Sequence, residues 1–270
     1  MSAARSFFER GWVAFDADPE TAAWVEAARP LADEIARDPE ARADWLRCGG
    51  TWFAGVNVFP NGPDGAVPAR GVPPLGGTAM RFVDEVLGLG GIALDRAQVS
   101  VCHPGYPQPW EGESEAAFRY RARRDAAHVD GLLREDSEAG ARRRRLGETH
   151  GFILGIPLSE SDPEAAPLVV WEGSHAAMRA AFRERFDGVP PERWGAEDIT
   201  EAYTEARCRV FETCPRVPVT APPGGAYLVH RLALHGVAPW TAPDGPPRAI
   251  AYFRPDPRPG EPPGWWLDAP

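Results

Sequence analysis

The sequence predicts a mainly β protein, an antiparallel double-sheet barrel or jelly roll with peripheral helices. Three observations lead to this class. Short apolar runs of strand length, such as 151–159 and 226–230, are separated by turns rich in glycine and proline. Helical periodicity is concentrated near the start of the chain and in one later stretch. Many short strands with helices gathered at the periphery are typical of antiparallel sandwiches and barrels.

The composition sets limits on the function. A chain of 270 residues fits a single domain over 1–270. Its formal net charge of -10 argues against a nucleic-acid partner, since a basic surface supplies most of that affinity. No apolar stretch approaches the roughly 20 residues of a membrane span, and no signal peptide begins the chain. Four cysteines without a close pair suit a reducing compartment, so we expect a cytoplasmic protein without a membrane partner.

The first half of the chain predicts a helical layer followed by strands. Helical patterns fill an N-terminal layer over about 1–50, with a helix start at Pro19. A strand over 51–59 and a helix from Thr78 to about Leu87 follow, and then a strand over 98–102. The stretch 118–121 is expected to begin a strand or turn that leads into the motif described below.

The second half returns to strands around one helical insertion. Strands are predicted over 151–159, 167–171, 217–219, 226–230, 234–237 and 248–254. The helical insertion, about 176–212, suits either a lid or a homodimer surface. The basic run Arg142 to Arg145 is predicted to be a solvated polar loop, with an anion or acyl-carrier contact as the alternative.

The motif His128-Val129-Asp130 carries the main chemical signal. On an extended strand, residues i and i+2 share a face, so the imidazole and the carboxylate would lie side by side. They would form two thirds of the two-histidine, one-carboxylate triad that holds non-haem Fe(II). A His-x-Asp also occurs by chance, so the distant third ligand matters. His235, which precedes Gly236, is the best candidate, whereas His230 lies at an odd offset from it and would point to the opposite face.

An arginine completes this pattern. Arg248 opens the next apolar run, thirteen residues after His235. A guanidinium is a bidentate partner for a carboxylate, which an oxo-acid cosubstrate beside iron would require.

Together, these stretches resemble the phytanoyl-CoA dioxygenase family of Fe(II)/2-oxoglutarate oxygenases. The resemblance rests on 128–130, 168–175, 222–236 and Arg248, and it covers about residues 95–255. It implies a double-stranded β-helix, which is a cupin-like form of jelly roll. It also implies that His128, Asp130 and His235 bind Fe(II), and that Arg248 binds the far carboxylate of 2-oxoglutarate.

Two further residues, Thr241 and Trp171, are considered as contacts of the cosubstrate. The hydroxyl residue that often follows the His-Gly is Val237 here, so Thr241 is the predicted replacement for one cosubstrate hydrogen bond. Trp171, on a predicted barrel strand, is interpreted either as core filler or as a wall of the cosubstrate site. Asp130 is an acid, whereas halogenating relatives carry a small residue there, so hydroxylation is favoured over halogenation.

Three residues are predicted to contact a small-molecule substrate. Tyr106 and Trp110 lie in a rigid, proline-rich loop before the metal motif, which is either a pocket wall or a packed loop. His150 is either a substrate contact or a satisfied core histidine.

The sequence thus predicts a dioxygenase that uses Fe(II), 2-oxoglutarate and O2 to hydroxylate a small molecule, releasing succinate and CO2. Two alternatives stay open. One is a jelly-roll binding protein without turnover, and the other is a cupin-type metalloenzyme that does not use 2-oxoglutarate. The latter would not need Arg248.

Overall fold

The structure is a computed structural model that describes residues 2–136, 142–262 and 264–269. Two antiparallel sheets form the core, one of seven strands in the order β1-β10-β7-β12-β4-β3-β2 and one of three in the order β11-β8-β9. A hairpin of β5 and β6 stands beside them. The strands are β1 (Trp12–Phe15), β2 (Leu46–Arg47), β3 (Trp52–Phe53), β4 (Gln98–Cys102), β5 (Leu132–Asp136), β6 (Arg142–Leu146), β7 (Phe152–Pro157), β8 (Leu168–Trp171), β9 (Arg216–Val219), β10 (Ala226–His230), β11 (His235–Val237) and β12 (Arg248–Phe253). The helices are α1 (Ala3–Arg10), α2 (Pro19–Arg37), α3 (Pro39–Trp45), α4 (Thr78–Glu85), α5 (Glu115–Arg123), α6 (Ser174–Arg185), α7 (Thr200–Thr213) and α8 (Trp265–Asp268).

The central strands of the larger sheet are buried on both faces. Alternate residues of β7, β10 and β12 pack under the N-terminal helices, and the intervening residues face the smaller sheet. Phe152 and Leu154 of β7, for example, belong to the helix-side core, whereas Ile153 packs with Val170 of β8 between the sheets. Burial on both faces explains why these strands appear in the sequence as continuous apolar runs.

The N-terminal layer is helical, but it also contains a strand. Asp18 caps α2 by accepting hydrogen bonds from the backbone N–H groups of Glu20 and Thr21, both at 3.0 Å. This confirms the predicted helix start. The helical layer expected over about 1–50 contains α1, α2 and α3, but β1 also lies within it and pairs with β10 at one edge of the larger sheet. That pairing is a contact between distant residues, so the local pattern did not reveal it.

The helical insertion covers the outer face of the smaller sheet. Met178 and Phe182 of α6 and Val210 of α7 share a buried cluster with Val169 and Trp171 of β8. The apolar faces of these helices are therefore used within the chain. A lid or a homodimer surface remains a prediction.

Three local predictions are wrong. The stretch 118–121 belongs to helix α5, and the strand expected over 51–59 is confined to β3. The basic run Arg142 to Arg145 is not a loop but most of strand β6, which pairs with β5. Four consecutive arginines show no alternation of polar and apolar residues, so the sequence pattern did not predict a strand here. Glu138, which flanked the expected loop, lies outside the described residues.

No helix within the described ranges is both long and apolar enough to cross a membrane.

Candidate metal and cosubstrate site

The structure brings His128, Asp130 and His235 together. Asp130 Oδ1 lies 3.1 Å from His128 Nε2 and 3.6 Å from His235 Nε2. One potential ligand atom from each residue lies within 4.8 Å of those of the other two. His235 is 4% exposed and His128 is open to solvent, so the group is buried on one side and accessible on the other.

Backbone pairing positions the two histidines. His128 lies in an isolated bridge rather than in a regular strand, and its N–H and carbonyl exchange hydrogen bonds of 2.8 and 3.0 Å with His235. Gly236 allows this approach. A Cβ atom at that position would lie 2.1 Å from the carbonyl oxygen of Asp125, which no side chain tolerates. The His-Gly pair seen in the sequence therefore has a packing reason.

Both histidines direct a lone pair at Asp130. The Nδ1 atom of His128 lies 3.0 Å from the carbonyl oxygen of Ala126, and that of His235 lies 2.9 Å from the carbonyl oxygen of Ala233. Because a carbonyl only accepts, Nδ1 carries the proton in each ring and Nε2 is left as an acceptor. His235 Nε2 is buried and has no hydrogen-bond partner. Two lone pairs facing a carboxylate oxygen repel one another, and a divalent cation between them removes that repulsion.

Arg254 holds the other oxygen of the carboxylate. Its Nε donates to Asp130 Oδ2 at 2.5 Å, and its Nη1 donates to Gln98 Oε1 at 2.7 Å. Burial raises the pKa of Asp130, but the positive charge of Arg254 is the largest opposing cause, and the pKa is held well below its usual range. Asp130 is therefore ionised, with one oxygen bound by arginine and the other facing the histidines.

Sequence reasoning missed Arg254. The available signal was its position six residues after Arg248, which places both on one face of a continuous strand.

Arg248 is a buried cation without a carboxylate partner. It begins β12, is 3% exposed and approaches Cys102 Sγ at 3.6 Å, while its Nε has no hydrogen-bond partner. Burial raises the pKa of the neighbouring Cys102 thiol and Tyr227 phenol, so both are neutral at pH 7. No carboxylate of the described residues lies within 4.0 Å of this guanidinium. An unpaired buried charge costs several kcal/mol, so the position suits an anionic ligand.

The triad lines a cavity of about 330 Å³. The three predicted substrate contacts, Tyr106, Trp110 and His150, also line it. Trp110 donates from Nε1 to Cys48 Sγ at 3.1 Å, so its ring is held at the wall. Further lining residues are Trp52, Gln98, Ser100, Arg121, Asp125, Gly131, Glu148, Ile153, Leu168, Tyr252 and Arg254. Arg248 is not among them, but Tyr252 lies beside Arg248 and also lines the cavity.

Two residues considered as cosubstrate contacts, Trp171 and Thr241, lie away from the cavity. Leu168 and Val170 take the inward positions of β8, so alternation turns Trp171 to the outer face, where its ring centroid lies 5.2 Å from that of Phe211. It is core filler. Thr241 is exposed in the segment after β11, where its N–H donates to the Glu164 carbonyl, and it does not line the cavity.

The rival histidine lies in a different part of the core. His230 is 1% exposed, its Nδ1 accepts from the Leu232 N–H at 3.0 Å, and its Nε2 lies 2.9 Å from Arg179 Nη2. Its ring packs against His175 with a centroid distance of 4.8 Å. Both of its nitrogens thus face groups outside the triad, which agrees with the preference for His235.

No family model matches the sequence, and no curated protein matches it at a significant level. Solved structures are similar to it. AviO1 from Streptomyces viridochromogenes Tue57 is 15% identical, with 96% of this chain and 95% of that chain covered and a TM-score of 0.50. SnoK, a non-heme alpha-ketoglutarate-dependent carbocyclase from nogalamycin biosynthesis, is 18% identical over 97% and 88% of the two chains, with a TM-score of 0.50. EctD from S. alaskensis with bound Fe is 20% identical over 95% and 76%, again with a TM-score of 0.50. At these identities the likeness concerns the fold, and it confirms the predicted jelly roll with peripheral helices.

Proposed function

We propose that this protein is an Fe(II)- and 2-oxoglutarate-dependent oxygenase that hydroxylates a small molecule, with O2 as oxidant and succinate and CO2 as products. The convergence of His128, Asp130 and His235 at one cavity carries this proposal. Two imidazoles and one carboxylate with open positions are the ligand set of non-haem Fe(II) oxygenases. The bound Fe of EctD and the alpha-ketoglutarate dependence of SnoK support it by analogy of fold.

Hydrogen bonds within the protein would orient the three metal ligands before the metal ion binds. Backbone carbonyls fix the tautomer of both histidines, and Arg254 fixes the orientation of Asp130. His128, Asp130 and His235 would hold the ion and would leave it accessible to the cosubstrate and O2. Bound iron with 2-oxoglutarate would supply the oxidising power for an unactivated C–H bond.

Arg248 would bind the distal carboxylate of 2-oxoglutarate. Its buried and unbalanced charge supports this role, because a carboxylate there would supply the missing counter-ion. Tyr252 contacts Arg248 and also lines the cavity that holds the triad. Its side chain would therefore contact the cosubstrate. Arg248 would orient the molecule and take no part in electron transfer.

The cavity would accept a small, largely apolar or ring-containing substrate. Its walls carry Trp52, Tyr106 and Trp110, and its volume of about 330 Å³ limits the size of the reacting group. Glu148 and His150 add a polar edge, with 3.2 Å between Oε2 and Nε2. Asp130 occupies the position that halogenating enzymes leave free, which favours hydroxylation.

The test is succinate formation and O2 consumption by anaerobically purified protein supplied with Fe(II) and 2-oxoglutarate. The wild type should form succinate, even if slowly and without a substrate. His235→Ala should abolish it, while His103→Ala, which removes a histidine outside the cavity lining, should leave it within about twofold. Metal binding without succinate would favour the cupin-type alternative. Absence of metal binding would favour the non-catalytic alternative.

A further inference from the structure

Three arginines lie at the β5–β6 hairpin, and none of them forms an ion pair with a side chain that the structure describes. Arg134 of β5 lies directly opposite Arg144 of β6 in the strand register. Arg207 lies one turn along α7 from Tyr203, whose ring Arg144 contacts, and both Arg134 and Arg207 lower the pKa of Arg144, after burial as the largest cause. Like charges placed directly across a strand pair are destabilising. The hairpin therefore tolerates a local repulsion that its sequence could have avoided.

Aromatic rings hold two of these guanidinium groups in place. The Arg144 guanidinium lies 4.9 Å from the ring centroid of Tyr203, and that of Arg207 lies 5.2 Å from the centroid of Phe211. Arg207 Nε is buried and has no hydrogen-bond partner. Among the residues whose side chains the structure describes, which excludes 136–142, no carboxylate lies within 4.0 Å of Arg134, Arg144 or Arg207. Stacking fixes the planes of the groups but leaves their charge uncompensated.

On the opposite face of the same hairpin, the arginines form ion pairs with acidic residues. Arg143 pairs with Asp198 at 3.4 Å, and Arg145 pairs with Glu135 at 2.6 Å. The chain contains 39 acidic residues against 29 basic ones. Arg143 and Arg145 are therefore each paired with a carboxylate, whereas Arg144, between them on the same strand, has no such pair among the described side chains.

We propose that Arg134, Arg144 and Arg207 form a binding site for a phosphoryl group on a small molecule. Guanidinium groups match the geometry of phosphate oxygens, and a dianion would remove the repulsion among the three. The hairpin begins next to Gly131 and ends two residues before Glu148, and both of these line the active-site cavity. A phosphorylated molecule held here would thus lie near the cavity. The site depends on neither the metal nor 2-oxoglutarate, so it stands apart from the proposed function.

Calorimetric titration with pyrophosphate and with inorganic phosphate, at constant ionic strength set by NaCl, tests this site. The wild type should bind pyrophosphate more tightly than phosphate. The double variant Arg144→Gln/Arg207→Gln should bind pyrophosphate at least tenfold more weakly. The matched control Arg143→Gln/Arg145→Gln removes two arginines from the other face of the hairpin and should change the affinity less than twofold.

Thermal melting of both double variants shows whether they are folded. Because Arg144→Gln relieves repulsion, the melting temperature of Arg144→Gln/Arg207→Gln should not fall below that of the wild type. If this double variant is unstable, the single variant Arg134→Gln should also weaken pyrophosphate binding and tests the same site. A wild type that does not bind pyrophosphate would overturn the proposal. Equal losses of affinity in the test and control variants would also overturn it, since they would indicate a general charge effect.

Discussion

The two ends of strand β12 carry arginines with opposite surroundings, Arg248 buried and Arg254 partly exposed. Arg254, just past the end of the strand, donates to Asp130 and Gln98 and has its charge balanced. Arg248, at the start of the strand, approaches only Cys102 and a pair of tyrosines. Both lie on the inward face of the same strand. One arginine therefore supports a metal ligand, and the other is prepared for a ligand that the chain does not itself provide.

This difference predicts that the same substitution has opposite effects at the two ends. Removing one partner of a buried ion pair leaves an uncompensated charge, whereas removing a charge that is already uncompensated relieves a cost. The contrast separates an arginine that stabilises the fold from one that binds a ligand.

The largest effect is expected for Arg254→Met. It leaves the Asp130 carboxylate buried and unpaired, so the free energy of unfolding should fall by about 3–5 kcal/mol. Loss of the group that orients a metal ligand should also weaken Co(II) binding by about 10–100-fold. Chemical denaturation of the metal-free protein and absorption titration with Co(II) measure the two effects.

A matched control exists in the Arg216–Asp125 pair, with N–O distances of 2.6 and 2.9 Å. Arg216→Met also leaves a buried aspartate unpaired, but Asp125 lines the cavity without belonging to the triad. This substitution should cost similar stability while Co(II) affinity stays within about twofold. Wild-type Co(II) affinity in Arg254→Met would contradict the orienting role of Arg254.

The second effect concerns Arg248→Met. Without cosubstrate, its free energy of unfolding should equal or exceed that of the wild type, because the substitution removes an unbalanced buried charge. At 2-oxoglutarate concentrations of 100 times Kd, the wild type should gain about 2.7 kcal/mol and the variant almost nothing. Denaturation of the Ni(II)-loaded proteins with and without 2-oxoglutarate checks this. Destabilisation of the ligand-free variant comparable to that of Arg254→Met would contradict the proposed contrast.

The third effect is the pH dependence of stability caused by two buried histidines, and it means that the arginine variants should be compared above pH 7. Burial is the main cause that lowers the pKa of His175 and His230. The unfolded chain therefore binds more protons than the folded one below about pH 6.5, and the free energy of unfolding should fall there by up to about 1.4 kcal/mol per pH unit for each histidine. Above pH 7 both are neutral in both states.

Urea denaturation between pH 7.5 and 5.5 measures this slope. His230→Gln should flatten it, because one of the two proton-linked groups is gone. An unchanged slope in that variant would show that other groups cause the acid sensitivity.

The smallest effect is expected for Thr241→Ala. Its side chain is exposed and away from the cavity, so the free energy of unfolding should change by less than about 0.5 kcal/mol. The 2-oxoglutarate concentration needed for half-maximal succinate formation should stay within twofold. A large rise would restore Thr241 as a cosubstrate contact and weaken the assignment of Arg248 as the main anchor.

The sequence alone indicated the pairing of His128 with Asp130 and the strand that bears Arg248, and it offered His235 as the best candidate for the third ligand. These depend on short-range rules: a two-residue spacing puts His128 and Asp130 side by side, and continuous apolar runs indicate strands buried on both faces. The start of α2 was also readable, since a cap acts within one turn.

Tertiary structure alone decided which distant residues meet. Arg254 and Asp130 lie 124 positions apart, and no local pattern links them. The face of Trp171, the exposure of Thr241 and the strand character of the arginine run likewise depend on which element packs alongside. Which elements pack together depends on the burial of whole surfaces. A short stretch of sequence shows the periodicity of a helix or strand, but it does not show which distant element packs against it.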